Sequence, residues 1–138
     1  MTEPRYLLDA SALYPLLLEL RENLARYASV LAILDLTVYE VGNAVWKEHR
    51  MGRIRDPVLV AKAFSEVLKL MSTLSASSSI DRVVELAARE NLTFYDASYL
   101  YVARSRGMKL VTEDRDLLRY PESISVRQLL RELKVEKA

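Results

Sequence analysis

The chain has 138 residues, a length that suits one domain, and its 51% apolar and 28% charged residues make an ordinary globular balance that excludes disorder. Gly 3 and Pro 4 leave no room for a flexible linker, and 20 Lys and Arg against 19 Asp and Glu exclude a uniformly basic nucleic-acid coat. Cys 0 excludes disulfides, thiolate metal sites and cysteine nucleophiles, and the single His49 excludes a two-histidine acid–base pair, so chemistry is left to carboxylates, hydroxyls and cations.

Arg5-Tyr-Leu-Leu-Asp9 is a short apolar run ending in an acid, the pattern of a buried strand. Leu13, Leu16, Leu17, Leu20 and Leu24 then recur at helical spacing, with Ser11 as the predicted N-cap and Pro15 in the first turn. Ala10 to Leu18 is the most apolar segment, yet it is bracketed by Asp9 and Glu19 and falls far short of the roughly 20 residues a membrane span needs. The N-terminus has no signal-peptide pattern, which predicts a cytoplasmic protein away from membranes. Val30 to Leu36 predicts a second buried strand, and Thr37 opens a helix carrying Val38, Val41 and Val45 that ends near Gly52. Asp56-Pro57 is an N-cap followed by proline at the first helical position, starting a helix to about Leu70.

The serine-rich step Ser72 to Ser79 reads as a break, and Ile80 to Glu90 as the next helix. Thr93 starts a fifth helix with Tyr95, Tyr99, Val102 and Arg106 on one side, closed by Gly107. Lys109 to Thr112 predicts a third strand and Ile124 to Val126 a short fourth, before a terminal helix with Leu129, Leu130 and Leu133. Uniformly apolar strands separated by helices describe a parallel sheet covered on both faces. The prediction is a single α/β domain over residues 1–138, a three-layer α/β/α sandwich with a short parallel sheet.

Four acids occupy equivalent places in this scheme. Asp9 ends the first strand, Glu40 lies in the first turn of the helix after the second, Asp96 in the first turn of the fifth helix, and Asp114 follows the third strand. Ligands of open parallel sheets bind beyond the carboxyl ends of the strands, which makes these acids candidates for one pocket. Two carboxylates about 4 Å apart repel by roughly 4 kcal/mol at an effective dielectric near 20. Such a pocket demands raised pKa values or a cation, and all-oxygen ligands select magnesium or manganese over zinc. Acid-bound divalent ions activate water against a phosphodiester and stabilise its leaving oxygen.

Each acid also has a purely structural reading. Thr37-Val-Tyr-Glu40 and Thr93-Phe-Tyr-Asp96 fit capping-box spacing, Asp114 suits an N-cap before Leu117-Leu118, and the helix dipole favours acids at N-termini. Asp9 fits that account least, because Ser11 is the better cap. Asn43, three residues after Glu40, is either a donor toward the site or a solvent-facing amide. Lys47, His49, Arg50, Arg53 and Arg55 form a basic run that suits an RNA backbone, contacted by Lys47, Arg50, Arg53 and Arg55, and equally suits a helix C-terminus. Tyr95, Tyr99 and Tyr101 read as packing before base stacking, and Trp46 as core or dimer interface.

LLDASAL near the start, TVYEVGNAVWK, and the long run YDASYLYVARSRGMKLVTEDRDL together resemble the PIN-domain family, most closely its VapC-type toxin ribonucleases of type II toxin–antitoxin pairs. The resemblance covers nearly the whole chain and keeps the family's order of motifs. It implies an α/β/α sandwich and an acidic metal site of Asp9, Glu40, Asp96 and Asp114, supported by the hydroxyls of Ser11 and Thr112. Glu113 and Asp116 flank Asp114 closely enough that either shares or replaces its ligand role; Asp114, two residues past Thr112, is the choice the T-x-D pattern makes. Ser11 stands where many relatives carry asparagine.

The resemblance further implies a Mg- or Mn-dependent endoribonuclease that hydrolyses RNA with metal-activated water, held inactive by a cognate VapB-type antitoxin. It also implies a homodimer. A housekeeping RNA-processing PIN nuclease is the alternative within the fold. From other classes, a catalytically inactive PIN fold that only binds would not require the complete acid set. A receiver-like phosphoacceptor would want an acid pair after the first strand, whereas Asp9 has no acidic neighbour and Asp35 falls in an apolar strand.

Overall fold

The computed structural model describes residues 3–134. Tyr6–Leu8 forms β1 and Ala10–Leu20 forms α1. Asp9, not Ser11, caps α1, its carboxylate accepting the Ala12 N–H at 3.1 Å. The earlier start places Pro15 in the helix interior rather than the first turn, where its missing N–H leaves one backbone bond of α1 unmade. A 3-10 turn leads to α2 (Leu24–Tyr27), and a second leads to β2 (Leu31–Leu34).

Helix α3 (Asp35–Arg50) begins before Thr37, so Asp35 is an exposed first-turn residue and not part of the strand. Asp56 caps α4 (Pro57–Leu68) as predicted, accepting the Leu59 N–H at 3.1 Å. The serine-rich step contains a strand, β3 (Ser72–Leu74), which pairs with β2 alone. An edge strand with little buried surface has no need of the apolar run that marks a central one, and this is why its sequence reads as a break.

A 3-10 turn at Ser77–Ser79 precedes α5 (Ile80–Glu90), and α6 (Phe94–Arg106) follows after a short link. Thr93 caps α6, and Gly107 closes it in the left-handed region at φ 65°, where a side chain would be strained. The remaining elements are β4 (Lys109–Val111), α7 (Arg115–Leu118), β5 (Ser123–Ile124) and α8 (Val126–Glu132).

Among the described residues the five strands are all parallel, in the order β3-β2-β1-β4-β5. The alternation of the strands divides the core in two. Leu8, Leu31, Ile33 and Val111 pack with Leu13, Leu16 and Leu20 of α1, Val41 and Val45 of α3, Phe64 of α4 and Leu129 of α8. On the other face Leu7, Ala32, Leu34 and Leu110 meet Val83 and Leu86 of α5, the buried side of α6, and Leu117 of α7. Each fully buried leucine contributes about 1.5–3 kcal/mol by leaving water. The three-layer α/β/α prediction therefore holds. From β1 the chain runs outward to β2 and β3, then crosses to β4 and β5 on the opposite side, so the strand order reverses between β1 and β4. Beyond the carboxyl ends of that pair lies the crevice where doubly wound sheets bind ligands. Among the described residues no helix is long and apolar enough to cross a membrane.

Candidate active site

Asp9 directly follows β1, at the carboxyl end of the strand, and is buried. Its Oδ1 accepts from Ser11 Oγ at 2.6 Å and from the Ala12 N–H at 3.1 Å, and its Oδ2 accepts from Thr112 Oγ1 at 2.5 Å. Thr112, the residue after β4, is fully buried and also accepts the Asp114 N–H at 3.0 Å. Ser11 Oγ accepts the Glu113 N–H at 2.9 Å. Two hydroxyls thus join the ends of β1 and β4 and fix both oxygens of one carboxylate.

Glu40 stands in the second turn of α3, one turn later than predicted, because the helix starts at Asp35. Its Oε1 accepts from the Tyr99 hydroxyl at 2.5 Å, and that hydroxyl lies 2.6 Å from Thr37 Oγ1. Asp96 occupies the first turn of α6, with its own N–H given to the Thr93 cap at 3.0 Å. Asp114 caps α7, accepting the Asp116 N–H at 2.8 Å. Asp9 and Asp114 are helix caps and members of the acid group at once.

Burial and like charge act on three of these acids. Burial pushes the Asp9 carboxyl above the usual aspartate range, the bonds from Ser11, Thr112 and Ala12 oppose the rise, and the Glu40 charge adds to it. Burial also raises Glu40, against the Tyr99 hydrogen bond and with the Asp96 charge. Asp96 is raised by burial and then by the charges of Asp114, Asp9 and Asp116. Like-charge influence therefore runs from Glu40 through Asp9 and Asp96 to Asp114, around one sheet edge. Among the described residues no three such side chains close into a ready-made metal cage. Mutual repulsion opposes that closure unless a cation offsets it. The donor set itself, carboxylates and hydroxyls alone, fits a hard divalent ion.

The other candidates are placed less centrally. The Glu113 carboxylate accepts the Val126 N–H at 2.9 Å and so ties the end of β4 to the start of α8. Asp116 is exposed at the rim, near enough to influence Asp96. Asn43 is exposed on α3. Lys47, Arg50, Arg53 and Arg55 lie at or beyond the far end of α3. By helical rise Arg50 is about 15 Å from Glu40. There Arg53 pairs with Glu48 at 3.1 Å, Arg50 sits 5.1 Å over the Trp46 ring, and His49 Nδ1 lies 2.9 Å from the Ile54 carbonyl oxygen. Trp46 is 51% exposed and so is not a core residue. Tyr99 reads from the sequence as packing before base stacking, and its bond to an acid is not foreseen there. Its ring is core, but its hydroxyl serves Glu40 across 59 residues, a separation that leaves no local pattern.

A family model described as PIN domain matches residues 6–123. The chain belongs to the PIN-domain family. That span of the PIN domain includes Asp9, Glu40, Asp96, Asp114 and both hydroxyls. The chain is 47% identical over 113 residues to exonuclease VapC9 of Pyrobaculum aerophilum, covering 82% of this chain and 83% of that protein. It is 32% identical over 120 residues to ribonuclease VapC3 of the same organism, covering 82% and 92% respectively. The crystal structure of PAE2754 from Pyrobaculum aerophilum superimposes with a TM-score of 0.89 at 43% identity, covering 98% of this chain and 100% of that one. A toxin–antitoxin complex from Klebsiella pneumoniae shares the fold, with a TM-score of 0.64 at 22% identity over 88% of this chain and 97% of that one.

Proposed function

We propose that this PIN domain is a divalent-cation-dependent endoribonuclease and the toxin half of a type II toxin–antitoxin pair. The observation that carries the reading is the buried Asp9 carboxylate at the carboxyl end of β1, both of its oxygens held by the Ser11 and Thr112 hydroxyls, with Thr112 also accepting the Asp114 N–H; the like-charge influence among Asp9, Glu40, Asp96 and Asp114 supports it. Relatives named exonuclease and ribonuclease support a nuclease. Asp9, Glu40, Asp96 and Asp114 would hold magnesium or manganese. Such an ion, when bound, supplies a water nucleophile at neutral pH and stabilises the leaving oxygen.

The chain's own contribution is preorganisation. Ser11 and Thr112 orient Asp9, the α6 cap orients the turn that carries Asp96, and the α7 cap sets the loop that carries Asp114. The only histidine, His49, is bonded at the far end of α3, so a histidine acid–base mechanism through a 2′-hydroxyl has no support here. The expected partner is a VapB-type antitoxin, whose arginine would pair with the uncompensated carboxylates when it blocks the crevice. Homodimerisation belongs to the same reading; exposed Tyr39 and Trp46 on α3 supply apolar surface for assembly.

The test uses linear and circular single-stranded RNA with Mn2+ or EDTA. Cleavage of the circle in Mn2+, its loss in EDTA, 5′-phosphate and 3′-hydroxyl ends, and an inert but folded Asp96→Asn variant are the expected results. Degradation of the linear RNA alone would make the protein an exonuclease. Cyclic phosphate products, or full activity in EDTA, would overturn the cation-dependent reading.

A further inference from the structure

Tyr99 is 1% exposed and Thr37 is 0% exposed. A phenylalanine would fill the Tyr99 position equally well, and burying a hydroxyl is unfavourable unless it is bonded. The Tyr99 hydroxyl carries one hydrogen. It gives that hydrogen to Glu40 Oε1 at 2.5 Å, so toward Thr37 Oγ1, 2.6 Å away, it acts as acceptor. Thr37 Oγ1 in turn accepts the N–H of Leu34, the last residue of β2, at 3.0 Å. The direction of the chain is thereby set: strand backbone to Thr37, Thr37 to Tyr99, Tyr99 to Glu40.

This relay references a long, rotatable carboxylate on α3 to the carboxyl end of β2, an interior strand. It also crosses to α6, on which Asp96 lies three residues before Tyr99. We propose that Tyr99 and Thr37 are positioning residues that hold Glu40 Oε1, leaving Oε2 to complete the cation site with Asp9 and Asp96. The inference rests on the cation site proposed above. Its physical basis is that Glu40 surrenders its side-chain freedom to Tyr99 on folding, so that binding a cation orders it no further.

The experiment is calorimetric titration of Mn2+ into the EDTA-stripped, dialysed full chain, with urea midpoints measured alongside. Tyr99→Phe should weaken Mn2+ binding by about 10-fold or more, the usual effect of removing a group that orients a ligand. Thr37→Val should weaken it in the same direction, and Thr37→Ser, which keeps the hydroxyl, should bind within about 2-fold of the parent. A purely structural role moves the urea midpoint and leaves Mn2+ affinity alone. Parent-like binding by both Tyr99→Phe and Thr37→Val overturns the inference while leaving the cation site standing. Absence of saturable binding by the parent removes the site and the inference together. If Tyr99→Phe does not fold, the Thr37 pair decides, and equal binding by valine and serine variants overturns the relay.

Discussion

Replacing Thr112 with valine nearly preserves the shape of a fully buried side chain and removes a hydroxyl that donates to Asp9 Oδ2 at 2.5 Å and accepts the Asp114 N–H at 3.0 Å. A hydrogen bond to a charged group contributes about 1.5–3 kcal/mol, and a part-buried amide left without its acceptor costs about 1 kcal/mol. The methyl group gained offsets about 0.8 kcal/mol. Thr112→Val should therefore lose about 2 kcal/mol at neutral pH, which at a urea slope near 2 kcal/mol per molar lowers the midpoint by about 1 M. At about pH 3 the Asp9 carboxyl, raised by burial, is protonated, and the bond becomes an ordinary neutral one contributing about 0.5–1.5 kcal/mol. The deficit should shrink accordingly. Urea unfolding of parent and variant, followed by circular dichroism at both pH values, measures it. An unchanged midpoint at pH 7, or the same deficit at both, would refute the account of how the two strand ends are joined.

The raised pKa of Asp96 stabilises the fold fully below the ordinary aspartate range, and that contribution is lost as pH rises through the raised value. Asp96→Asn should accordingly melt higher than the parent at pH 7 in EDTA, with the gap closing in acid; an equal or lower Tm at pH 7 counts against the like-charge assignment. His49→Ala, distant from the carboxylates, should keep RNA cleavage within about twofold, since it removes no group of a cation-dependent site; a tenfold loss would bring His49 into the chemistry. Glu113→Ala removes the acceptor of the Val126 N–H and should lower stability by about 1 kcal/mol while cleavage persists. A loss of cleavage matching that of Asp96→Asn would make Glu113 a ligand.

Local chemistry was legible in the sequence wherever a residue acts on its own neighbours. Asp56-Pro57, Thr93 and Gly107 mark helix ends through side-chain caps and a left-handed turn, and the structure places those ends accordingly. The apolar runs around Leu7, Ile33 and Leu110 announce strands buried on both faces, which is enough to infer a parallel sheet under helices. The acids could be proposed as a set from their places after strands and at helix starts, and the structure keeps those places for Asp9, Asp96 and Asp114 while moving Glu40 to the second turn of α3. Which strand lies beside which was not legible, since β1 meets β4 across some hundred residues through hydrogen bonds that leave no periodicity. The polar edge strand β3 escaped for the opposite reason, having little buried surface to declare itself. The bond from Thr112 to Asp9 depends on β4 arriving beside β1, and the bond from Tyr99 to Glu40 depends on α6 laying its hydroxyl against α3. A sequence records what each residue prefers locally; only tertiary packing decides which distant hydroxyl a carboxylate will meet, because that contact exists only once two separately folded elements share a core.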